Sequence, residues 1–194
     1  SIATWVHERH GIHLLVIALV LAALFSVWND SHIVRRITGR KSDVDERRSL
    51  QEALTSRGVD SLSKPIVLVA AAGGGLRAAY WTATTLAALQ DSIPEFNRHL
   101  FAISGVSGGS VGASVYAALV HDSLANPGKV KCLSRTHSFS GCVREFMAED
   151  YLSPVLAKMV APDFVQTFLP FPWRQLDRSG GLEGSWENSY YRVT

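Results

Sequence analysis

Hydrophobic positions along the chain change character twice. Residues 12 to 28 form an almost unbroken apolar run with no formal charge inside it. At about 1.5 Å per helical residue it reaches roughly 26 Å, near the lower limit for spanning a bilayer core. A buried core helix would show a polar face, and this run is apolar all round. A cleaved signal peptide would be shorter and would end in a small-residue cleavage site. The pattern therefore predicts a transmembrane helix over 12–28, with Trp5 and Trp28 as interfacial aromatics. Charged residues then surround Leu50, Ala53 and Leu54 between Asp43 and Arg57, predicting an amphipathic connecting helix that ends at Gly58.

From residue 65 the pattern alternates between strand-like and helix-like runs. Ile66 to Ala72 is continuous, apolar and partly β-branched, as expected of a parallel strand buried on both faces. Ala78 to Leu89 reads as a helix, Leu100 to Ile103 as a second strand, and the small-residue segment that follows, to Ser123, as a second helix. Val143 to Val160 reads as helical. Phe164 to Trp173 is an aromatic, proline-broken loop suited to an acyl-chain channel, to a bilayer surface, or to plain packing under a cap.

Composition narrows the classes. At 47% hydrophobic residues the 194-residue chain can bury a core, and a net charge of +2 with scattered basic residues argues against nucleic acid as a partner. Arg35, Arg36, Arg40 and Lys41 follow the apolar run, whereas only Arg9 precedes it, so the positive-inside rule places the C-terminal part in the cytoplasm. Cys132 and Cys142 suit a small disulfide loop or two plain thiols better than zinc, since His137 alone lies between them and a fourth ligand is missing. The chain opens on Ser1 and stops at Thr194 just after an aromatic stretch, as expected of a piece of a longer protein.

Two glycine turns carry the chemistry. Gly73-Gly74-Gly75-Leu76-Arg77 follows the first strand, where consecutive glycines bring amides up to a ligand and the helix N-terminus adds a positive dipole end. The same residues through Ala78 satisfy the GxGxxA dinucleotide pattern, but no acid stands near Ile103-Ser104 to hold a ribose, and no Gly-Lys-Ser/Thr occurs. Gly105-Val106-Ser107-Gly108-Gly109 is a GxSxG pentapeptide between strand and helix, a nucleophile-elbow context. Ser107 is the expected nucleophile, and Ser104 and Ser110 are expected to be structural. His121 and His137 are poor partners for a Ser-His-Asp triad, the latter lying in the polar loop between the cysteines.

Taken in order, GGGxR after one strand and GxSxG after the next resemble the bacterial, membrane-anchored patatin-like phospholipases, from about Pro65 onward. Asp150 to Pro154, Asp177-Arg178, Leu182-Glu183 and Trp186 are similar to segments that follow the elbow in such proteins. The resemblance implies a three-layer α/β/α sheet, incomplete in this chain, and a Ser-Asp dyad without histidine. By it, Ser107 is the nucleophile, Gly74, Gly75 and Gly108 supply oxyanion amides, and Arg77 supports the loop. Ala72 and Ala78 depart from the family pattern and are expected to reshape the loop slightly. The family's base sits in an Asp-Gly-Gly or Asp-Gly-Ala motif, and no aspartate here precedes glycine. The base is thus expected past Thr194, and Asp150, Asp163 and Asp177 are expected to be caps or structural residues.

The organisation expected is a membrane segment over 1–30, a basic and amphipathic linker over 31–64, and the N-terminal part of a patatin-like hydrolase domain over 65–194. The function expected is a serine acyl hydrolase of phospholipase A or lysophospholipase type, cleaving membrane phospholipid or other acyl esters without metal or organic cofactor. Its expected place is the bacterial inner membrane, with the hydrolase domain in the cytoplasm and the fragment inactive alone. The alternatives are a non-catalytic, membrane-associated lipid-binding or scaffold protein, and nucleotide binding at Gly73 to Ala78.

Overall fold

The computed structural model describes residues 13–25, 27, 50–56, 65–93, 95–173 and 176–194. In chain order they form α1 (Leu14–Phe25), α2 (Leu50–Ser56), β1 (Val67–Ala71), α3 (Gly75–Ser92), α4 (Phe96–His99), β2 (Leu100–Gly105), α5 (Gly108–Ala125), α6 (Lys131–Thr136), α7 (Phe139–Met147), α8 (Ser153–Val160), α9 (Pro162–Gln166) and α10 (Arg178–Val193). Two units result, the first holding α1 and Asp150–Asn188, the second holding the described residues from α2 to Glu149 together with Ser189–Thr194.

The second unit is built on two consecutive strand-turn-helix passages. β1 and β2 pair in parallel, Val69 opposite Ile103 and Ala71 opposite Gly105. α3 and α5 pack on each other through small residues such as Ala79, Ala83 and Ala113, all buried. Leu86, Tyr116 and Leu119 extend this core, and Val143 and Phe146 of α7 add to it. The three-layer sheet is not what these residues build: the described residues are mostly helical and their sheet has two strands. Its outer face is open, with Leu68 70% exposed and Ala70, Ala102 and Ser104 also exposed. The apolar run of β1 was expected to be covered on both faces; helices cover one.

Polar anchors join the elements. The buried side chain of Gln90, near the end of α3, accepts from Asn97 N and from Tyr116 Oη, each at 3.0 Å. Burial pushes the Tyr116 phenol up to about 12. Asp91 accepts from Phe139 N at 2.6 Å and Ser140 N at 2.9 Å, while Ser138 Oγ accepts from Gly141 N, so a residue of α3 satisfies orphan amides at the start of α7. Cys132 and Cys142 are bridged, with Cα atoms 5.4 Å apart and both residues fully buried. At the far end of α5, Asp122 accepts from Lys129 Nζ and Tyr190 Oη, both at 2.8 Å. These two donors, Lys129 first, hold its carboxyl down at about 2.

The helix expected over Val143 to Val160 is broken. α7 ends at Met147, Asp150 accepts from Leu152 N and Ser153 N at 3.0 and 2.9 Å, and α8 restarts with Pro154 in its first turn. Proline fits there because it lacks only an amide that the helix leaves unpaired. Tyr151 meets Trp186 edge-on, and the buried Gln166 donates to Phe171 O at 2.7 Å and accepts from Trp173 N at 2.8 Å. α9 and this hydrogen-bonded turn occupy the segment expected as an irregular loop.

The membrane expectation is also corrected. α1 has 12 residues, a rise of about 18 Å, whereas a span needs roughly 20 residues. Among the described residues no helix is long and apolar enough to cross a membrane. With the helix over 12–28 falls the inner-membrane, cytoplasm-facing localisation that rested on it. The disulfide argues separately against a cytoplasmic placement, because such bridges persist mainly in oxidising compartments. Residues 1–12, 26 and 28–49 lie outside the described residues, and with them Trp5, Trp28 and the basic cluster from Arg35 to Lys41. The amphipathic helix expected over 43–57 is described only as α2.

Candidate active site

Both glycine turns lie at the C-terminal edge of the two-stranded sheet. Val106 N donates to Ala71 O at 3.0 Å, which ties the elbow to the end of β1. Gly109 N donates to Val106 O and Val111 N to Ser107 O, closing the first turn of α5. Between strand and helix Ser107 is held at φ 51 and ψ −122, a backbone conformation with positive φ that L residues rarely adopt. Such a residue carries strain on the order of 1–3 kcal/mol and persists only where its surroundings over-determine it. The side chain is not spent on the fold: Ser107 is exposed and its hydroxyl does not cap α5.

The first glycine turn comes up beside it. A Cβ placed on Gly73 would stand 3.4 Å from the Ser107 Cβ. Gly74 (φ 154) and Gly75 (φ 60) then turn the chain into α3 through conformations open to glycine. A Cβ on Gly108 would fall 2.0 Å from Gly75 O and 3.1 Å from Gly75 N, so the first residues of α3 and α5 meet backbone to backbone. Each of these helices has 18 residues, leaves its first amides without an intrahelical acceptor, and adds the positive end of its dipole. Two helix N-termini therefore converge next to one strained serine, an arrangement able to hold negative charge developing on a substrate oxygen.

Ser107, Gly74, Gly75 and Gly108 are thus brought together. Arg77 lies exposed in the first turn of α3 and makes no ion pair among the described residues. A general base is not brought in. Among the described residues, no histidine or carboxylate is hydrogen-bonded to Ser107. His121 lies beside Asp122 at 3.4 Å, and His137 ends α6 in a left-handed conformation. Asp91 and Asp122 serve the contacts given above, Asp163 faces Arg178 at 3.7 Å, and Asp177 accepts from Ser179 N at 3.0 Å. The end of β2, where a dinucleotide site would carry its acid, is Gly105. Among the described residues no group of three or more His, Cys, Asp or Glu is placed to hold a metal ion.

Gly73, which the hydrolase expectation left without a role, lies nearest of the triplet to the Ser107 side chain. Its only signal was its place as first of the triplet, immediately after the strand. Fold and site together define a pair of parallel strand-turn-helix passages with a strained, exposed serine at the turn of the second. No family model, no curated protein and no solved structure matches the chain.

Proposed function

We propose that this chain carries the nucleophile and oxyanion hole of a serine acyl hydrolase of patatin-like type, acting on lipid esters. The observation that carries the reading is Ser107 itself, strained at positive φ between β2 and α5 with both helix N-termini beside it. Ser107 Oγ attacks the acyl carbonyl carbon and passes its proton to a base that is not among the described residues. The amides of Gly74, Gly75 and Gly108 receive the oxyanion, each such donor lowering the barrier by about 3 to 4 kcal/mol. Collapse releases the alcohol and leaves an acyl-serine, which water then hydrolyses to the fatty acid. Arg77 stands in the first turn behind the loop, where its charge favours an anionic transition state.

The test is ester hydrolysis by the full-length protein on short-chain and phospholipid acyl esters. Wild type turns over and Ser107→Ala does not; retained turnover in the variant removes the assignment. A second reading is favoured by the engagement of the described aspartates elsewhere: a lipid-binding or scaffold module that keeps the elbow without a base. It predicts lipid binding unchanged by Ser107→Ala and no turnover by either protein.

A further inference from the structure

At two glycines α5 comes close enough to touch the backbone of the first strand-turn-helix passage. A Cβ on Gly109 would lie 2.6 Å from Ala72 O, and one on Gly112 would lie 2.3 Å from Ala79 O, 2.9 Å from Thr82 Cβ and 3.0 Å from Ala83 N. Gly112 is four residues along from Gly108, so the two share one face of α5. On that face the helix is pressed against carbonyl oxygens of the oxyanion-loop passage. Carbonyl oxygens cannot step aside as a side-chain rotamer can. Ala79 and Ala83, 2% and 0% exposed, already fill the facing side with the smallest available side chains.

We propose that Gly112 is a positioning residue for Ser107: it sets the separation between the elbow on α5 and the amides that open α3. The inference rests on Ser107 being the nucleophile. Ordinary carbon-oxygen contact is about 3.5 Å, so a methyl at 112 forces the helices apart by about 1 Å. α5 moves as a body, carrying the Gly108 amide and Ser107 away from Gly74 and Gly75. Catalytic constellations tolerate roughly 0.5 Å of such displacement. A substrate still meets the same groups, so the loss falls on the chemical step rather than on binding.

The experiment measures kcat and KM for p-nitrophenyl butyrate, with kcat normalised to sites titrated by a fluorophosphonate, in the full-length protein as wild type, Gly112→Ala, Ser107→Ala and Gly184→Ala. Position 184 is a helical glycine with open space around it and serves as the control for the glycine-to-alanine change. Gly112→Ala lowers kcat by about 100-fold with KM within about twofold, as expected for a 1 Å misplacement, and Gly184→Ala changes neither. An impairment of folding alone would reduce the number of titrated sites and leave kcat per site intact. Should Gly112→Ala fail to melt cooperatively, Ala83→Ser, one heavy atom larger at the same crossing, decides; its kcat falls by about tenfold at unchanged KM. Wild-type kcat per site in the deciding variant overturns the role of Gly112 while leaving the hydrolase reading intact. Turnover by Ser107→Ala, or none by wild type, fails that reading instead and withdraws this inference with it.

Discussion

Gly73 and Ser107 stand against each other across the sheet edge, a Cβ at 73 falling 3.4 Å from the serine Cβ. The contact joins the two glycine turns into one site, because it brings the residue that follows the first strand passage to the strained serine of the second.

Two glycines of this site differ in what constrains them. Gly75 has φ 60 but nothing within 4 Å of its would-be Cβ, so Gly75→Ala meets only backbone strain, about 1 kcal/mol. Gly108 lies where a Cβ would overlap Gly75 O at 2.0 Å, and Gly108→Ala must displace a helix, at about 3 kcal/mol or more. Urea unfolding midpoints of the two variants will show this order; equal midpoints would contradict the backbone contact.

Much of this was legible before the fold was known. A strand ending in a glycine triplet and another ending in GxSxG announce local turns, and local turns depend on residues adjacent in sequence: β1 and β2 fall at Val67–Ala71 and Leu100–Gly105, inside or beside the runs that predicted them. Coverage was not legible. Leu68 belongs to an apolar run whether or not a layer lies over it, and it is 70% exposed. The same ambiguity affected α1, whose apolar composition suggested a span that its 12 described residues do not reach. Partners distant in sequence also escaped notice, since nothing near Asp91 or Asp122 signals Phe139 or Tyr190.

The Cys132–Cys142 bridge closes a short loop, with a sequence separation of 10. A loop of that size contributes about 3 kcal/mol in the chain-entropy account. The double variant Cys132→Ala/Cys142→Ala will show a correspondingly lower unfolding free energy. Because both cysteines are fully buried, thiol alkylation of the native protein will require reductant and denaturant together. Ready alkylation in native buffer without reductant would contradict the bridge.

Acid will loosen the link between the end of α5 and the last turn of α10. Asp122 titrates near 2 in the folded protein against 3.8 for a free carboxyl, chiefly because Lys129 and then Tyr190 donate to it. A group with a depressed folded pKa stabilises above its unfolded value, and that stabilisation is lost as pH falls from about 4 toward 2. Melting temperatures measured across this window will fall more steeply for wild type than for Asp122→Asn. Parallel curves would show that the contact contributes nothing.

The central claim, that Ser107 is an activated nucleophile, is tested most directly by labelling the full-length protein with a fluorophosphonate and locating the adduct by peptide mass spectrometry. The account predicts a single adduct on Ser107, absent in Ser107→Ala and weakened in Gly108→Ala. No adduct on wild type, or an adduct on another serine that survives in Ser107→Ala, would contradict it.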